Sequence, residues 1–309
     1  MSMQWRGYDL SFTQPERRGQ VEEVSRAPNV RDRKREMGRV LWGGDKTWLA
    51  PQTRWTDGYP FLDLDSGGYE LKVEQSGPER VVVRLVSPIC RETGVQITRT
   101  LAVYAGATDW TVTHELFNTS SAEITWGVWD VTMVLRPGKV YLPRRRNSSY
   151  PGGIKTYPEE GESVQARGKV VSELGSLAVV TCDHPRKFKF GVDAETTLEG
   201  QCSNPGTPSQ DGWMLGVLNI GGHSLVGYCK QIPVYREQIY GHGCVAEVYN
   251  SDEYEYFEME VHGPQITLQP AERFALTERQ ALFDVAAWPA HEGQVRQLVT
   301  DHLNSTAPP

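Results

Sequence analysis

The stretch that decides the fold lies near the carboxyl end of the 309-residue chain and reads Gly243-Cys244-Val245-Ala246-Glu247-Val248-Tyr249-Asn250. Another run follows it, Tyr254-Glu255-Tyr256-Phe257-Glu258-Met259-Glu260-Val261. Both runs are rich in β-branched and aromatic residues, which predicts two antiparallel strands joined by a hairpin. Side chains alternate across a strand, so Glu247 and Tyr249 share one face, while small apolar residues occupy the other. We therefore expect Glu247 and Tyr249 to point away from the packed core, toward a surface that can hold a polar ligand.

Strand-like runs continue through the rest of the chain. Each is short, rich in Val, Ile, Thr, Tyr or Trp, and bounded by turn-forming residues. Besides the hairpin, the runs are Tyr69–Glu74, Arg80–Val86, Val95–Tyr104, Trp110–Phe117, Glu123–Val134, Leu177–Cys182, Lys187–Val192, Gly212–Leu218, Ser224–Lys230 and Arg273–Phe283. Because no helical pattern separates them, they predict an all-β fold, a large antiparallel β-sandwich.

The two ends of the chain differ from this pattern. Residues 1–40 are polar and charged, and we expect an irregular N-terminal arm or edge strands there. Near the other end, Val295, Leu298, Val299 and Leu303 form one apolar stripe at helical spacing, which predicts a short C-terminal helix over residues 290–303. No repeat or long linker divides the chain, so a single domain over residues 1–309 is expected.

Composition limits the classes of partner and the compartment. The formal net charge of −7 argues against nucleic acid as the main ligand, because a phosphate backbone needs a basic surface. No stretch is apolar over the length that spans a bilayer, and the first residues do not form a signal peptide, so no membrane partner is expected. Five cysteines without metal-ligand or disulfide spacing indicate a cytoplasmic protein with free thiols. Oligomeric state is left open.

Motifs for cofactors and metals give no signal. The chain lacks the glycine-rich nucleotide motifs, the H-E-x-x-H pair and the G-x-S-x-G elbow. The seven histidines have no metal-binding spacing. His262 shares a strand face with Glu258 and Glu260, a pattern typical of a solvated face. We therefore expect no cofactor and no metal site.

Two segments carry a resemblance to a known family. The hairpin is followed by Leu268-Gln269-Pro270-Ala271-Glu272, and an N-terminal segment reads Gly43-Gly44-Asp45-Lys46-Thr47-Trp48-Leu49-Ala50-Pro51-Gln52. The hairpin with its following turn resembles the C-terminal part of the galactose mutarotase-like (aldose 1-epimerase) superfamily. The N-terminal segment is similar to the G-G-x-x-x-W-x-A-P element of a bacterial branch of it. The resemblance implies a β-supersandwich in which Glu247 is the general base acting on a sugar's anomeric hydroxyl.

The general acid is where the sequence departs from the family. In the well-characterised mutarotases that the chain resembles, the acid is a histidine in a central strand. This chain has no histidine in the corresponding run, Thr125-Trp126-Gly127-Val128-Trp129-Asp130-Val131-Thr132. His242 lies between two glycines at a strand entrance and is one candidate for the acid. His114 is another, although its strand face is apolar and is more typical of a core histidine. Lys230 and Asp130 are further substitutes, and we assign both to substrate binding.

Sugar contacts are expected from aromatic and charged side chains together. A sugar offers apolar C–H faces and a rim of hydroxyls, which suits a tryptophan beside hydrogen-bonding charges. Burial in the core is the alternative for the tryptophans, and a solvated surface for the arginine triplet that begins at Arg144. The predicted substrate-binding residues are Lys46, Trp48, Arg54, Trp55, Asp130, Arg144, Lys230 and Tyr249.

Three functions remain compatible with the sequence, all with a small-molecule carbohydrate as partner. The first is an aldose 1-epimerase-like sugar isomerase with Glu247 as general base. Another is a carbohydrate-binding protein without chemistry, which the missing histidine favours. The third is a lyase or hydrolase acting on a glycoside or uronate on the same scaffold, since a fold does not determine a reaction.

Overall fold

The computed structural model describes residues 3–14, 41–145, 148–193, 209–222, 224–235 and 238–303. Within the predicted N-terminal arm, the described residues form a small two-stranded sheet of β1 (Gln4–Trp5) and β2 (Tyr8–Asp9). Residues 15–40 of that arm lie outside the described ranges. The same holds for Arg146 and Cys202.

A ten-stranded sheet forms one layer of the fold. Its strand order is β11-β12-β9-β14-β15-β19-β7-β6-β5-β4, and every neighbouring pair is antiparallel. The strands are β4 (Glu70–Ser76), β5 (Arg80–Val86), β6 (Val95–Tyr104), β7 (Asp109–Asn118), β9 (Gly138–Pro143), β11 (Val171–Leu174), β12 (Leu177–Cys182), β14 (Ser209–Ile220), β15 (Ser224–Val234) and β19 (Arg273–Val285).

A seven-stranded antiparallel sheet forms the other layer. Strands run in the order β10-β13-β16-β17-β8, and β8 also pairs with β3 and β18. The strands are β3 (Asp45–Ala50), β8 (Ile124–Leu135), β10 (Lys155–Thr156), β13 (Phe188–Val192), β16 (Ala246–Asn250), β17 (Tyr256–His262) and β18 (Ile266–Leu268). The predicted hairpin is β16 and β17, with Glu247 opposite Glu260 in register.

The core lies between the two sheets. It buries the apolar face of β16 and β17 (Val248 and Met259, for example) against residues of the larger sheet such as Met214 and Leu218. The predicted all-β antiparallel sandwich is therefore confirmed. The four cysteines in the described ranges, Cys90, Cys182, Cys229 and Cys244, are buried and free.

The described residues form three α-helices: α1 (Leu62–Asp65), α2 (Ser163–Val170) and α3 (Glu292–Leu303). Helix α3 confirms the predicted C-terminal helix, although it begins two residues later. Its Val295, Val299 and Leu303 pack in a separate apolar cluster with Leu215 and Phe283 of the ten-stranded sheet. Turns of 3-10 helix cover Gln52–Arg54, Thr56–Gly58 and Pro151–Gly153. None of the described helices combines the length and the apolar character needed to cross a membrane.

Candidate functional site

A cleft of about 370 Å³ lies over the outer face of the seven-stranded sheet, within the usual size range of small-molecule sites. Strands β3, β8, β13, β16 and β17 supply much of its lining. The segment from Gln52 to Asp65, together with Leu41, Glu160 and Lys187, adds the rest. The lining residues with aromatic or charged side chains are Lys46, Trp48, Trp55, Tyr59, Asp65, Trp129, Glu160, Lys187, Lys189, Tyr249, Tyr256 and Glu258.

Three tryptophans form one aromatic wall of the cleft. The ring centroid of Trp48 lies 5.5 Å from that of Trp55 and 5.1 Å from that of Trp129, both edge-on. The Trp55 and Trp129 centroids are 5.2 Å apart. Each ring is held by a hydrogen bond from its Nε1: Trp48 donates to Asp65 Oδ1, Trp55 to the Leu49 carbonyl and Trp129 to Glu260 Oε2. The wall is therefore held in place before any ligand arrives.

Paired charges stand among the other lining residues. Lys46 Nζ lies 2.6 Å from Asp65 Oδ1, and Lys187 Nζ lies 3.1 Å from Glu160 Oε2. Because each ammonium has its own carboxylate, these pairs offer hydrogen-bonding groups without a strong excess of one charge.

Lys189 of β13 occupies the bottom of the cleft and bridges two carboxylates. Its Nζ lies 2.8 Å from Glu247 Oε2 and 2.8 Å from Glu260 Oε2. Trp129 Nε1 also donates to Glu260 Oε2, at 2.8 Å, and the ammonium lies 4.8 Å from the Trp129 ring centroid. The alternating register of β13, β16 and β17 places these three charged side chains on one face.

Glu247 lies beneath this layer and is fully buried. Tyr157 donates a hydrogen bond to its Oε1. Around Oε2, besides Lys189, His242 Nδ1 and His262 Nε2 each lie 3.1 Å away. The His262 contact lacks hydrogen-bond geometry, and neither of its ring nitrogens has a hydrogen-bond partner. Both carboxylate oxygens of Glu247 are thus occupied by groups of the protein.

The tautomer of His242 follows from its contact with the backbone. The Gln52 backbone N–H donates to His242 Nε2 at 3.1 Å, so Nε2 carries the lone pair. We therefore assign the proton to Nδ1, which donates it to Glu247. Both nitrogens of His242 are used within the protein, so His242 orients and stabilises the carboxylate of Glu247.

Burial and neighbouring charges shift the pKa values of the ionisable groups around Glu247. Burial alone would raise the pKa of Glu247, but the charge of Lys189 and the hydrogen bond from His242 outweigh it and hold that pKa well below its usual range. Burial raises the pKa of Glu260. Burial alone would lower the pKa of Lys189, but Glu247 and Glu260 outweigh it and raise that pKa above its usual range. Burial lowers the pKa of His262 to about 4. Near neutral pH the site therefore holds an ionised Glu247, a charged Lys189 and a neutral His262.

Comparison with known proteins gives likenesses of structure only. No family model matches the chain, and no curated protein matches it. Among solved structures, the chain is similar to galactose mutarotase-like proteins. The one from Lactobacillus casei has a TM-score of 0.47 at 8% identity, with 90% of each chain covered. The one from Clostridium acetobutylicum has a TM-score of 0.45 at 10% identity, again with 90% of each chain covered. Slr1438 of Synechocystis sp. PCC 6803 has a TM-score of 0.48 at 8% identity, covering 90% of this chain and 85% of its own. At these values the likeness carries no inference about activity, which has to come from the site.

Six of the residues singled out in the sequence come together here. Glu247 and His242 lie beneath the cleft, and Lys46, Trp48, Trp55 and Tyr249 line it.

The other five residues lie elsewhere. His114, Asp130 and Lys230 are buried between the two sheets, away from the cleft. Arg54 stacks over the Trp126 ring at 4.0 Å and donates to the Thr125 carbonyl, and Arg144 pairs with Glu173 at 2.6 Å. The structure therefore does not bring His114 to Glu247, nor Arg54, Asp130, Arg144 or Lys230 to the cleft lining.

Besides several residues of the cleft lining, the sequence did not single out five residues of the aromatic wall and the Glu247 cluster. They are Trp129, Tyr157, Lys189, Glu260 and His262. The prediction that His262 lies on a solvated strand face is wrong, because its side chain is fully buried beside Glu247. Alternation along β17 gave the one available signal, since it places Glu260 and His262 on the face that Glu247 shares.

Proposed function

We propose that the protein binds a carbohydrate of about monosaccharide size in the cleft over the seven-stranded sheet. The observation that carries the proposal is the aromatic wall of Trp48, Trp55 and Trp129 beside the ammonium of Lys189. A pyranose presents C–H groups on one face and hydroxyls around its edge, and these match the ring wall and the charged groups respectively. The resemblance of the Gly43–Trp55 segment to a sugar-converting superfamily points the same way.

Lys189 suits the role of a fixed donor to a sugar hydroxyl. Two buried carboxylates hold its ammonium, so little side-chain entropy is lost when a ligand accepts a hydrogen bond from it. Its charge also persists through the neutral range, because the same carboxylates raise its pKa. Glu258, buried in the lining beside Tyr249, adds an acceptor on the same surface.

A neutral sugar fits the charges better than a strongly anionic one. Lys46 and Lys187 are each paired with a lining carboxylate, and Lys189 faces two. A phosphate or uronate group would have to compete with these carboxylates for each ammonium. We therefore expect hydroxyl recognition to dominate binding.

Aldose 1-epimerase chemistry is the other candidate, and the ionised Glu247 beneath the cleft favours it. The reaction needs a carboxylate that takes the proton from the anomeric hydroxyl and an acid that protonates the ring oxygen. In the structure both oxygens of Glu247 are occupied, and its depressed pKa makes it a weak base. For this chemistry, a substrate hydroxyl has to take the place of Lys189 or Tyr157 at the carboxylate.

One experiment separates the two candidates. Calorimetric titration of the wild type and Trp48→Ala with a panel of neutral aldoses measures binding, and NMR exchange between anomers measures turnover. Sugar binding that Trp48→Ala weakens, with exchange at the uncatalysed rate, supports binding alone. Exchange above that rate, abolished by Glu247→Gln, establishes the epimerase. An absence of any aldose binding by the wild type contradicts the proposal.

A further inference from the structure

A separate cluster of polar side chains lies between the two sheets, apart from the cleft. His114 comes from β7, Asp130 from β8 and Glu278 from β19, and all three side chains are fully buried. Their atoms His114 Nε2, Asp130 Oδ1 and Glu278 Oε2 lie within 4.8 Å of one another. None of these three atoms has a hydrogen-bond partner. Buried polar atoms rarely remain without one, so their convergence needs a physical cause.

Each of the three residues is anchored through its other polar atom. Thr47 Oγ1 lies 2.9 Å from His114 Nδ1, and Lys230 Nζ donates to Asp130 Oδ2 at 2.6 Å. Gln280 Nε2 donates to Glu278 Oε1 at 3.0 Å. The fold therefore fixes the direction of the three side chains and leaves one ligand atom of each directed at a shared point.

We propose that His114, Asp130 and Glu278 bind a divalent transition-metal cation such as Zn²⁺. Imidazole nitrogens and carboxylate oxygens are both ligands that this class of ion binds. At metal–ligand distances of about 2.0–2.1 Å, tetrahedral geometry places ligand atoms roughly 3.4 Å apart. His114 Nε2 lies 3.4 Å from Glu278 Oε2 and 3.9 Å from Asp130 Oδ1. Asp130 Oδ1 and Glu278 Oε2 lie within 4.8 Å of each other, so metal binding requires the two carboxylates to move inward. With the metal on Nε2, His114 Nδ1–H donates to Thr47, as ligating histidines generally require.

The neighbouring charges are consistent with a cation. Three carboxylates, of Asp45, Asp130 and Glu278, face the two cations Arg99 and Lys230. With all three carboxylates ionised, as metal ligation requires, these five groups carry a net negative charge that a bound cation would offset. Lys230 Nζ contacts Asp130 Oδ2 at 2.6 Å and Glu278 Oε1 at 3.4 Å, which leaves the other oxygen of each carboxylate for the metal. It also donates to Thr132 and to the Met259 carbonyl.

Arg99 is a competing charge at the proposed ligand oxygen of Asp130, with its Nη2 at 3.6 Å from Asp130 Oδ1. Its main partner is Asp45, whose side chain and carbonyl it contacts. A cavity of about 220 Å³ is lined by Trp42, Asp45, Thr47, Tyr69 and Arg99, among others. Thr47 lines this cavity and contacts His114, so the cavity ends one side chain away from the cluster.

Metal titration of the full-length protein tests the proposal. After treatment with a chelator, the wild type is titrated with Zn²⁺ and with Co²⁺, followed by metal analysis, thermal unfolding and visible absorption. We expect about one equivalent to bind, a higher Tm and a Co²⁺ absorption band of a nitrogen- and oxygen-ligated site. His114→Gln and Glu278→Gln are expected to lose the tight equivalent.

His262→Gln is the matched control, since it removes a buried histidine beside a different glutamate. The proposal is supported if this variant keeps the metal while the other two lose it. Wild type that takes up no metal overturns the proposal and leaves a buried water as the bridging group. Loss of the metal in His262→Gln with retention in His114→Gln also overturns it. If His114→Gln and Glu278→Gln both fail to fold, the test rests on His262→Gln. A Co²⁺ absorption band in this variant supports the proposed site, and absence of the band contradicts it.

Discussion

Lys189 Nζ lies 2.8 Å from Glu247 Oε2, and this contact places an ammonium at the bottom of the cleft, next to the buried glutamate. The same ammonium contacts Glu260 at 2.8 Å. Glu247 is therefore an ionised carboxylate inside a hydrogen-bonded cluster, and Lys189 is the member of that cluster that lines the cleft. A ligand that entered the cleft would therefore contact an ammonium group and aromatic rings.

Removing the Lys189 ammonium should destabilise the fold strongly. Lys189→Met leaves Glu247 and Glu260 buried without their shared partner, which costs about 3–5 kcal/mol in comparable cases. Urea unfolding at neutral pH measures the change. Lys187→Met is the matched control, since Lys187 belongs to a partly exposed pair whose loss costs about 0–1 kcal/mol. Equal effects of the two substitutions would contradict the account of the cluster.

Tyr157 should contribute through its hydrogen bond to Glu247. In Tyr157→Phe the ring remains, but Glu247 Oε1 loses its donor, so we expect a loss of about 1.5–3 kcal/mol in unfolding free energy. Tyr150→Phe serves as control, because Tyr150 donates to the neutral Gly243 carbonyl. Its effect should be smaller, near about 1 kcal/mol. A larger loss in the control than in Tyr157→Phe would show that Glu247 does not depend on this donor.

Stability should fall as the pH drops from about 6.5 to about 4. Burial lowers the pKa of His262 from its ordinary 6.5 to about 4, so in this range the unfolded chain binds a proton that the folded chain does not. The slope reaches at most about 1.4 kcal/mol per pH unit for one group. Glu247 acts in the same direction at lower pH. Its pKa is depressed, so its contribution is present above its ordinary 4.5 and is lost as the pH falls further.

Urea unfolding at stepped pH checks this dependence. His262→Gln removes this titrating ring and should make the curve between pH 6.5 and 4 shallower, while the decline below about 4.5 remains. Burial also lowers the pKa of His114, which retains part of the slope. An unchanged slope in His262→Gln would assign the pH dependence to other groups.

The aromatic wall should determine sugar affinity. Trp48→Ala removes one ring of the wall, and we expect at least a tenfold rise in Kd, equivalent to about 1.4 kcal/mol. Arg54→Ala is the control, because Arg54 stacks on Trp126 outside the cleft lining and its loss should leave Kd unchanged. Calorimetric titration gives both values. A higher Kd in Arg54→Ala but not in Trp48→Ala would show that the sugar binds outside this cleft.

The sandwich could be predicted from the sequence because its signals are local. Runs of β-branched and aromatic residues between turn residues predicted the first and last residues of β5, β6 and β12 correctly. The apolar stripe of Val295, Val299 and Leu303 marked α3. Helix α2 (Ser163–Val170) was missed, because it buries only Ser163 and Ala166 and so has no apolar stripe to detect.

The candidate site was predictable only in part, for a physical reason. Alternation along β16 is enough to orient Glu247 away from the core. The burial of Lys189 and His262 instead depends on side chains from other strands that pair in register only in the folded sheet. The same limit applies to His114, Asp130 and Glu278, which come from three strands and have no spacing along the chain that indicates a shared site.

A crystal structure of the protein soaked with a neutral monosaccharide tests the central claim most directly. We expect the sugar ring to lie against Trp48 and Trp55, with a hydroxyl within hydrogen-bonding distance of Lys189 Nζ. A cleft that stays empty at saturating sugar, or a sugar bound away from this wall, would contradict the account.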